Sequence, residues 1–184
     1  MFASCSRSVS HLVKIAYLLT TFPRLSETFL QREVRAMAEN GAQLSLYTLW
    51  GGQRHWQGRN VYRLMHYEQL KLLWRLPKWA IARPSAMLEA LENLQQAGTV
   101  SPLSLAETLR GYAFALLKAH HFVRAKPDLI HCCWATMPAT AGWLLHRITG
   151  IPFSIGAHAY DVYKNGGDPL LPVKCREAVL IHTT

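Results

Sequence analysis

Two short segments carry residues whose types and spacing could bind or transform a substrate. The first is Pro23 to Thr28 (PRLSET), where the hydroxyls of Ser26 and Thr28 and the carboxyl of Glu27 stand at the start of a predicted helix. Free backbone N–H groups at a helix start, together with such hydroxyls, can hold a phosphate or a sugar oxygen. Ordinary helix capping, with Ser26 as the N-cap, explains the same residues. The segment alone does not decide between the two roles.

The second segment contains His158 and Asp161, which follow a predicted strand at residues 152–157. A neutral imidazole can donate or accept a hydrogen bond, which suits recognition of a hydroxyl group. A histidine and an aspartate in one loop after a strand are a stronger indication of a site than a single histidine, which is usually structural.

The tripeptide His131-Cys132-Cys133 could suggest a metal site. Adjacent residues of a strand point to opposite faces, so these side chains converge poorly on one ion. No CxxC or HxxxH spacing accompanies them. We therefore predict buried structural thiols and no metal.

Short apolar runs alternate with helical patterns along the chain, which predicts a parallel sheet covered by helices on both faces. The predicted strands lie near residues 13–20, 44–49, 128–132, 152–157 and 178–183, and the longest helix lies between Pro102 and Arg124. Ligands of such sheets bind at the carboxyl ends of strands. The loops 22–27, 132–137 and 158–168 should therefore meet at one edge. The chain contains no GxGxxG, GxxxxGK[ST] or GxSxG motif, which disfavours a classical dinucleotide site, a P-loop and a nucleophile elbow.

The composition limits the function classes further. The 184 residues are half apolar and carry a formal net charge of +9, which favours phosphates, anionic lipid or nucleic acid as partners. No run of four basic residues occurs, and this argues against nucleic acid. Four irregularly spaced cysteines predict reduced thiols and a cytosolic location, and no apolar stretch is long enough for a spanning helix.

The middle of the chain, residues 62–96, is rich in Leu, Trp, Lys and Arg. One interpretation is a pair of helices whose tryptophans pack and whose basic residues face water. The other is a helix on a membrane surface, with tryptophans at the interface and the basic residues of Lys71 to Arg83 near anionic headgroups.

Three stretches together resemble a known family: FPRLSETFLQREV, PDLIHCCW and GIPFSIGAHAYDVY. They resemble the N-terminal domain of family-four retaining glycosyltransferases of the GT-B fold, most closely the exopolysaccharide enzymes of the colanic acid and amylovoran kind. Three positions depart from the family pattern. Cys133 stands where a second histidine is common, Trp134 where phenylalanine is common and Gly156 where threonine is usual.

The resemblance implies a Rossmann-like α/β domain, spanning residues 12–184 after a polar leader at 1–11, that forms the acceptor side of a two-domain transferase. It implies transfer of a hexose with retention from a nucleotide-diphosphate sugar to a saccharide or lipid-linked saccharide, without a metal or cofactor. It also implies a cytoplasmic enzyme that can lie on the inner face of the membrane.

By the same analogy, His158 and Asp161 are catalytic, and His131 joins Pro23, Ser26, Glu27 and Thr28 in substrate binding. The donor-binding residues of such enzymes lie in a C-terminal domain, which these 184 residues do not include. Two alternatives stay open: a non-catalytic Rossmann-like ligand-binding module or degenerate fragment, and a basic peripheral membrane-binding module.

Overall fold

A computed structural model describes residues 12–96, 101–158, 161, 163 and 168–183, so the predicted polar leader lies outside the described residues. The strands are β1 (Lys14–Leu19), β2 (Gln43–Thr48), β3 (His55–Trp56), β4 (Arg59–Arg63), β5 (Leu129–Cys132), β6 (Phe153–Ala157) and β7 (Leu180–Thr183). The α-helices are α1 (Thr28–Glu39), α2 (Leu72–Ala82), α3 (Pro84–Gln96), α4 (Pro102–Ala125), α5 (Met137–Thr149) and α6 (Leu171–Glu177). A 3-10 helix, His66–Lys71, precedes α2.

The strands form one sheet in the order β3-β4-β2-β1-β5-β6-β7. All neighbouring strands are parallel except β3, which runs antiparallel to β4. The chain winds outward from β1 in one direction, returns to the other side of β1 as β5, and then winds outward in the opposite direction. The predicted α/β fold is confirmed, and its topological switch point lies between β1 and β5.

The two faces of the sheet bury separate apolar clusters. Alternate residues of β1 divide between them, because side chains of a strand point to opposite faces in turn. Tyr17 and Leu19 belong to the cluster that includes Leu30 and Val34 of α1. Leu18 belongs to the larger cluster, which is built with α4 and α5.

Helix α5 lies directly on β5 because Gly142 has no side chain. A Cβ at this position would overlap the Sγ of Cys132. Both Cys132 and Cys133 are buried free thiols, as predicted. Burial raises the pKa of each thiol, so both stay protonated at neutral pH.

The hairpin β3–β4 is an element that the sequence did not predict. Gln57 and Gly58 both have positive φ, 46° and 75°, and connect the two strands by a tight two-residue turn. Polar residues dominate this edge of the sheet, so the segment lacks the apolar run that marked the central strands. Trp56 anchors it by an edge-to-face contact with Phe22, with ring centroids 5.0 Å apart.

The starts of helices α4 and α1 compare differently with the sequence predictions. The longest helix, α4, begins at Pro102 as predicted, and the Ser101 side chain caps it by accepting a hydrogen bond from the backbone N–H of Ser104 (3.1 Å). The predicted N-cap at Ser26 is wrong. Helix α1 begins at Thr28 with Glu27 at its N-cap, and none of the described side chains caps it. The turn from Arg24 carries Glu27 inward instead, with the Glu27 N–H donating to the Arg24 carbonyl (3.1 Å).

Helices α2 and α3 form a pair, as in the first of the two interpretations of the middle of the chain. Pro77 lies inside α2 without ending it. Trp79 is buried and donates through Nε1 to the Leu116 carbonyl (3.0 Å), whereas Trp74 is 56% exposed. Within the part of the chain that the structure describes, none of the helices combines the length and apolar character needed to cross a bilayer.

Candidate functional site

A cleft of about 390 Å³ opens at the carboxyl edge of the sheet, next to the switch point between β1 and β5. Its volume lies within the range that small-molecule sites occupy, and its position is the one where open α/β sheets bind ligands. The loops after β1, β5 and β6 line it, together with helix α4. They contribute Arg24 and Glu27, Trp134 and Thr136, Asp161, and Glu107 of α4.

Glu27 is a buried acidic residue of the loop after β1. Its Oε1 pairs with Nη1 of Arg24 (3.1 Å), and its Oε2 is buried without a hydrogen-bond partner among the described residues. Burial raises the pKa of Glu27, while Arg24 opposes this effect and nearby Asp161 adds to it. Glu27 lines the cleft, so its carboxyl group could accept a hydrogen bond from a hydroxyl group of a ligand.

Asp161, after β6, is 4% exposed and fastens two loops together. Its Oδ2 accepts hydrogen bonds from the backbone N–H groups of Ala135 and His158, each at 3.3 Å. Burial raises the pKa of Asp161, and these two N–H donors oppose the rise. Asp161 therefore lines the cleft and also fixes the relative position of the loops after β5 and β6.

Aromatic rings form one side of this region. The half-buried His158 packs edge-on against Trp134 and Phe29, with ring centroids 4.8 and 5.2 Å apart. Trp134 itself lines the cleft. His158 thus joins the loop after β6 to helix α1 through Phe29 and to the loop after β5 through Trp134.

A fully buried lysine holds the loop after β5 in place by hydrogen bonds. The Nζ of Lys174, on α6, pairs with Asp168 (2.7 Å) and donates to the Ala135 carbonyl (2.6 Å) and to Oγ1 of Thr140 (3.2 Å). Burial lowers the pKa of Lys174, and the Asp168 carboxylate opposes this effect. Lys174 therefore holds the main chain whose N–H group binds Asp161.

His131 lies elsewhere, on the face of the sheet that α1 covers. Its Nδ1 is 2.8 Å from Oγ of Ser154, and its Nε2 is 3.4 Å from Oε1 of Glu33. Burial and the nearby His182 lower the pKa of His131 to about 4, so its imidazole is neutral at pH 7. Tyr17 donates its hydroxyl to the same Glu33 oxygen (3.0 Å).

The structure brings some of the sequence candidates together and leaves others apart. Glu27 and Asp161 share the cleft, and His158 stands beside it through Trp134. Ser26 and Thr28 are exposed, Pro23 is half-buried, and His131 lies within the sheet layer. The last four residues, Ser26, Thr28, Pro23 and His131, are not among the lining residues of the cleft.

Sequence reasoning missed Arg24, Trp134, Thr136 and Glu107. The first three lie in or next to loops that were expected to meet, so the loop positions were informative although no motif singled out these side chains. Glu107 had no local signal, because it reaches the cleft from the middle helix α4 by a long-range arrangement of the chain.

No protein-family model matches this sequence, and neither does any curated protein. A function has to be inferred from the parallel sheet, from the cleft at its switch point and from the residues that line it.

Proposed function

We propose that this chain is the acceptor-side domain of a nucleotide-sugar-dependent retaining hexosyltransferase that acts in cell-surface polysaccharide synthesis. The observation that carries the proposal is the cleft at the switch point, where Glu27, Asp161 and Trp134 meet. The three stretches that resemble the exopolysaccharide glycosyltransferases contain these residues, one in each stretch.

The lining residues offer the interactions that a saccharide needs. The carboxyl groups of Glu27 and Asp161 can accept hydrogen bonds from sugar hydroxyls. The indole of Trp134 presents an amphipathic ring on which the C–H face of a sugar can pack. Arg24 adds a cation that can pair with a phosphate, whether of the lipid-linked acceptor or of the leaving nucleotide diphosphate.

His158 is proposed to contact the acceptor or the transferred sugar, and Asp161 to hold the loop that carries it. The backbone N–H of His158 donates to Asp161, so the carboxylate fixes the loop while the imidazole remains on the aromatic side of the cleft. In a transfer reaction, N–H groups and cations stabilise the negative charge that develops on the departing diphosphate. The uncapped first turn of α1 and Arg24 supply such groups.

A binding experiment tests the acceptor assignment on the chain itself. A short saccharide linked to a polyprenyl diphosphate, held in detergent micelles, is titrated against the protein by isothermal calorimetry. Trp134→Ala and Glu27→Gln should weaken binding at least tenfold, which corresponds to about 1.4 kcal/mol. Trp50→Ala is the matched control, because Trp50 is exposed beside Arg110 and outside the cleft. Equal affinity for wild type and both cleft variants would contradict the assignment.

Catalysis is tested in the full-length transferase that the resemblance implies. There, His158→Ala should lower turnover more than about tenfold, or about 1.4 kcal/mol of transition-state binding. Unchanged turnover in a folded His158→Ala enzyme would exclude His158 from the reaction. Substrate binding without any turnover in the full-length protein would favour the non-catalytic ligand-binding alternative.

A specific observation also favours contact with a membrane surface, either as part of the transferase role or as the function itself. The exposed side of α2 carries Leu73 (78% exposed), Trp74 (56%) and Ile81 (83%), with Lys71 and Lys78 beside them. Such a mixture of apolar and basic side chains suits the interface of an anionic bilayer. A peripheral position of this kind would place the protein on the membrane that carries a lipid-linked acceptor.

A further inference from the structure

Three side chains that can bind metal ions meet on the α1 face of the sheet, away from the lining of the cleft. They are Glu33 of α1, His131 of β5 and His182 of β7, and one ligand atom from each lies within 4.8 Å of the others. The absence of a metal was predicted from neighbouring residues of one strand and from the lack of CxxC or HxxxH spacing. The members of this cluster come from three elements that are far apart in the sequence, so neither observation applies to them.

His131 has the geometry of a prepared ligand. Its side chain is nine-tenths buried, and Ser154 Oγ at 2.8 Å from Nδ1 fixes the orientation of the ring. Its Nε2 is buried without a hydrogen-bond partner among the described residues, and it stands 3.4 Å from Glu33 Oε1. Two ligand atoms bound at about 2.1 Å to a tetrahedral ion are themselves about 3.4 Å apart, so this pair already has the required spacing.

His182 occupies space that a glycine leaves open. Gly156 pairs with His182 across β6 and β7, and a Cβ on Gly156 would come within 3.1 Å of Cε1 and 3.2 Å of Nε2 of that ring. The His131 and His182 rings lie nearly parallel, with centroids 5.3 Å apart. A rotation of the half-buried His182 ring that brings its nitrogen closer by at most about 1.4 Å would complete the tetrahedral spacing.

We propose that Glu33, His131 and His182 form a binding site for a divalent transition metal ion, with Zn²⁺ the best match. Two imidazoles and one carboxylate are a ligand set that Zn²⁺ favours, and water would take the fourth position. Tyr17 and Ser154 supply the outer hydrogen bonds that orient Glu33 and His131. A bound ion would link α1 to the last strand, β7, across β5. This site is independent of the proposed transfer reaction.

Zinc titration of the purified chain against a competing chromogenic chelator tests the site without donor or acceptor. The wild type should bind one Zn²⁺ more tightly than any variant of the cluster, and its unfolding temperature should rise with zinc concentration. Glu33→Gln and His182→Ala, both at partly exposed positions, should each weaken the affinity at least about tenfold. His55→Ala is the matched control, since His55 is an exposed histidine on β3.

Gly156→Ala provides an independent variant that removes no ligand. The added methyl group should displace the His182 ring and weaken zinc binding, whereas the far-UV circular dichroism should stay that of the wild type. Replacement of zinc by Co²⁺ in the wild type should give the visible absorption of a four-coordinate site with nitrogen ligands. Absence of that spectrum in the wild type, or equal zinc affinity of the wild type and His182→Ala, would overturn the proposal.

Discussion

At the scale of single residues, the buried carboxyl of Glu27 has the clearest pH-dependent consequence. Its pKa in the folded protein is raised above the ordinary value of 4.5 by burial, despite the opposing Arg24. The folded state therefore binds more protons at this position than the unfolded state. The stability that this proton contributes is complete below pH 4.5 and is lost as the pH rises through the folded pKa.

We predict that Glu27→Gln removes this dependence. The free energy of unfolding of the variant minus that of the wild type should be larger at pH 7 than at pH 4.5, because the wild type loses stability as Glu27 ionises and glutamine stays neutral throughout. Urea denaturation at the two pH values measures the difference. Glu39→Gln at the exposed end of α1 is the control and should show no comparable change between the two pH values. A Glu27→Gln difference that falls towards pH 7 would contradict a raised pKa of Glu27 in the folded protein.

Residue-level prediction from the sequence succeeded where position along the chain was enough. His158 and Asp161 follow a strand end, so their place at the carboxyl edge followed from the α/β alternation. Ser26 and Glu27 show the limit. Which of two neighbouring polar residues turns inward depends on the Arg24–Glu27 turn and its ion pair, and no pattern of residue types encodes that turn.

At the scale of elements, the contact between α5 and β5 depends on a glycine. Alanine is favoured over glycine in a helix interior by about 1 kcal/mol, yet we predict that Gly142→Ala destabilises the protein. The reason is that the new Cβ would overlap Cys132 Sγ, and overpacking a core costs about 1–3 kcal/mol.

A double-mutant cycle checks this contact. Cys132→Ala removes the sulfur, so Gly142→Ala should cost at least about 0.5 kcal/mol less in the Cys132→Ala background than in the wild type. Chemical denaturation of the four proteins gives the coupling energy. Additive effects would show that the strain of Gly142→Ala arises at another neighbour.

Helix α2 gives a second prediction at this scale. We expect reversible binding of the protein to vesicles that contain anionic lipid, weakening as salt is added because the basic residues are screened. Trp74→Ser with Ile81→Ser should reduce co-sedimentation about tenfold or more, since both exposed side chains would lose apolar burial in the interface. Leu25→Ser, at a residue that is 96% exposed in the loop after β1, is the control. Equal binding to neutral and anionic vesicles would argue against a membrane role for α2.

The central strands could be predicted because strands buried on both faces appear as short apolar runs. Five of the six residues of β1 and all five of β6 are buried. The β3–β4 hairpin could not be predicted in this way, because a partly exposed edge strand does not need a continuous run of apolar residues. Strand β2 itself was predicted, but its parallel pairing with β4 was not, because no pattern of residue types specifies which strands pair.

At the scale of the whole molecule, we predict that these 184 residues alone do not transfer sugar. Retaining transfer in the two-domain architecture that the resemblance implies needs donor and acceptor held together in near-attack geometry. Under the proposed function, the described cleft would form one wall of such an arrangement. A turnover assay with UDP- and GDP-hexoses and a lipid-linked saccharide measures this directly. Robust transfer by the isolated chain would mean that the active site lies elsewhere or that the architecture differs.

The alternation of strands and helices predicted the class of the whole fold but not the order of its strands. The switch point between β1 and β5 arises because the chain crosses back over the middle of the sheet after α4. The sequence pattern does not specify which distant strand pairs with β1 on the side opposite β2. The position of the cleft could be stated only as the edge where three loops should meet. The predicted helix α4 contributes Glu107 to its lining, and this contact depends on how the helix packs on the sheet.

The burial of Lys174 makes its amine a reporter of local opening. Amine-acylating reagents react with the unprotonated, solvent-accessible amine, and Lys174 is wholly shielded whereas Lys78 is exposed. Peptide mass spectrometry after brief acylation should therefore find Lys78 modified quickly and Lys174 only at the rate at which α6 detaches from the loop after β5. The slow rate would measure how often the contact between α6 and the loop after β5 opens in the native protein. A ligand that binds the cleft should reduce this rate further.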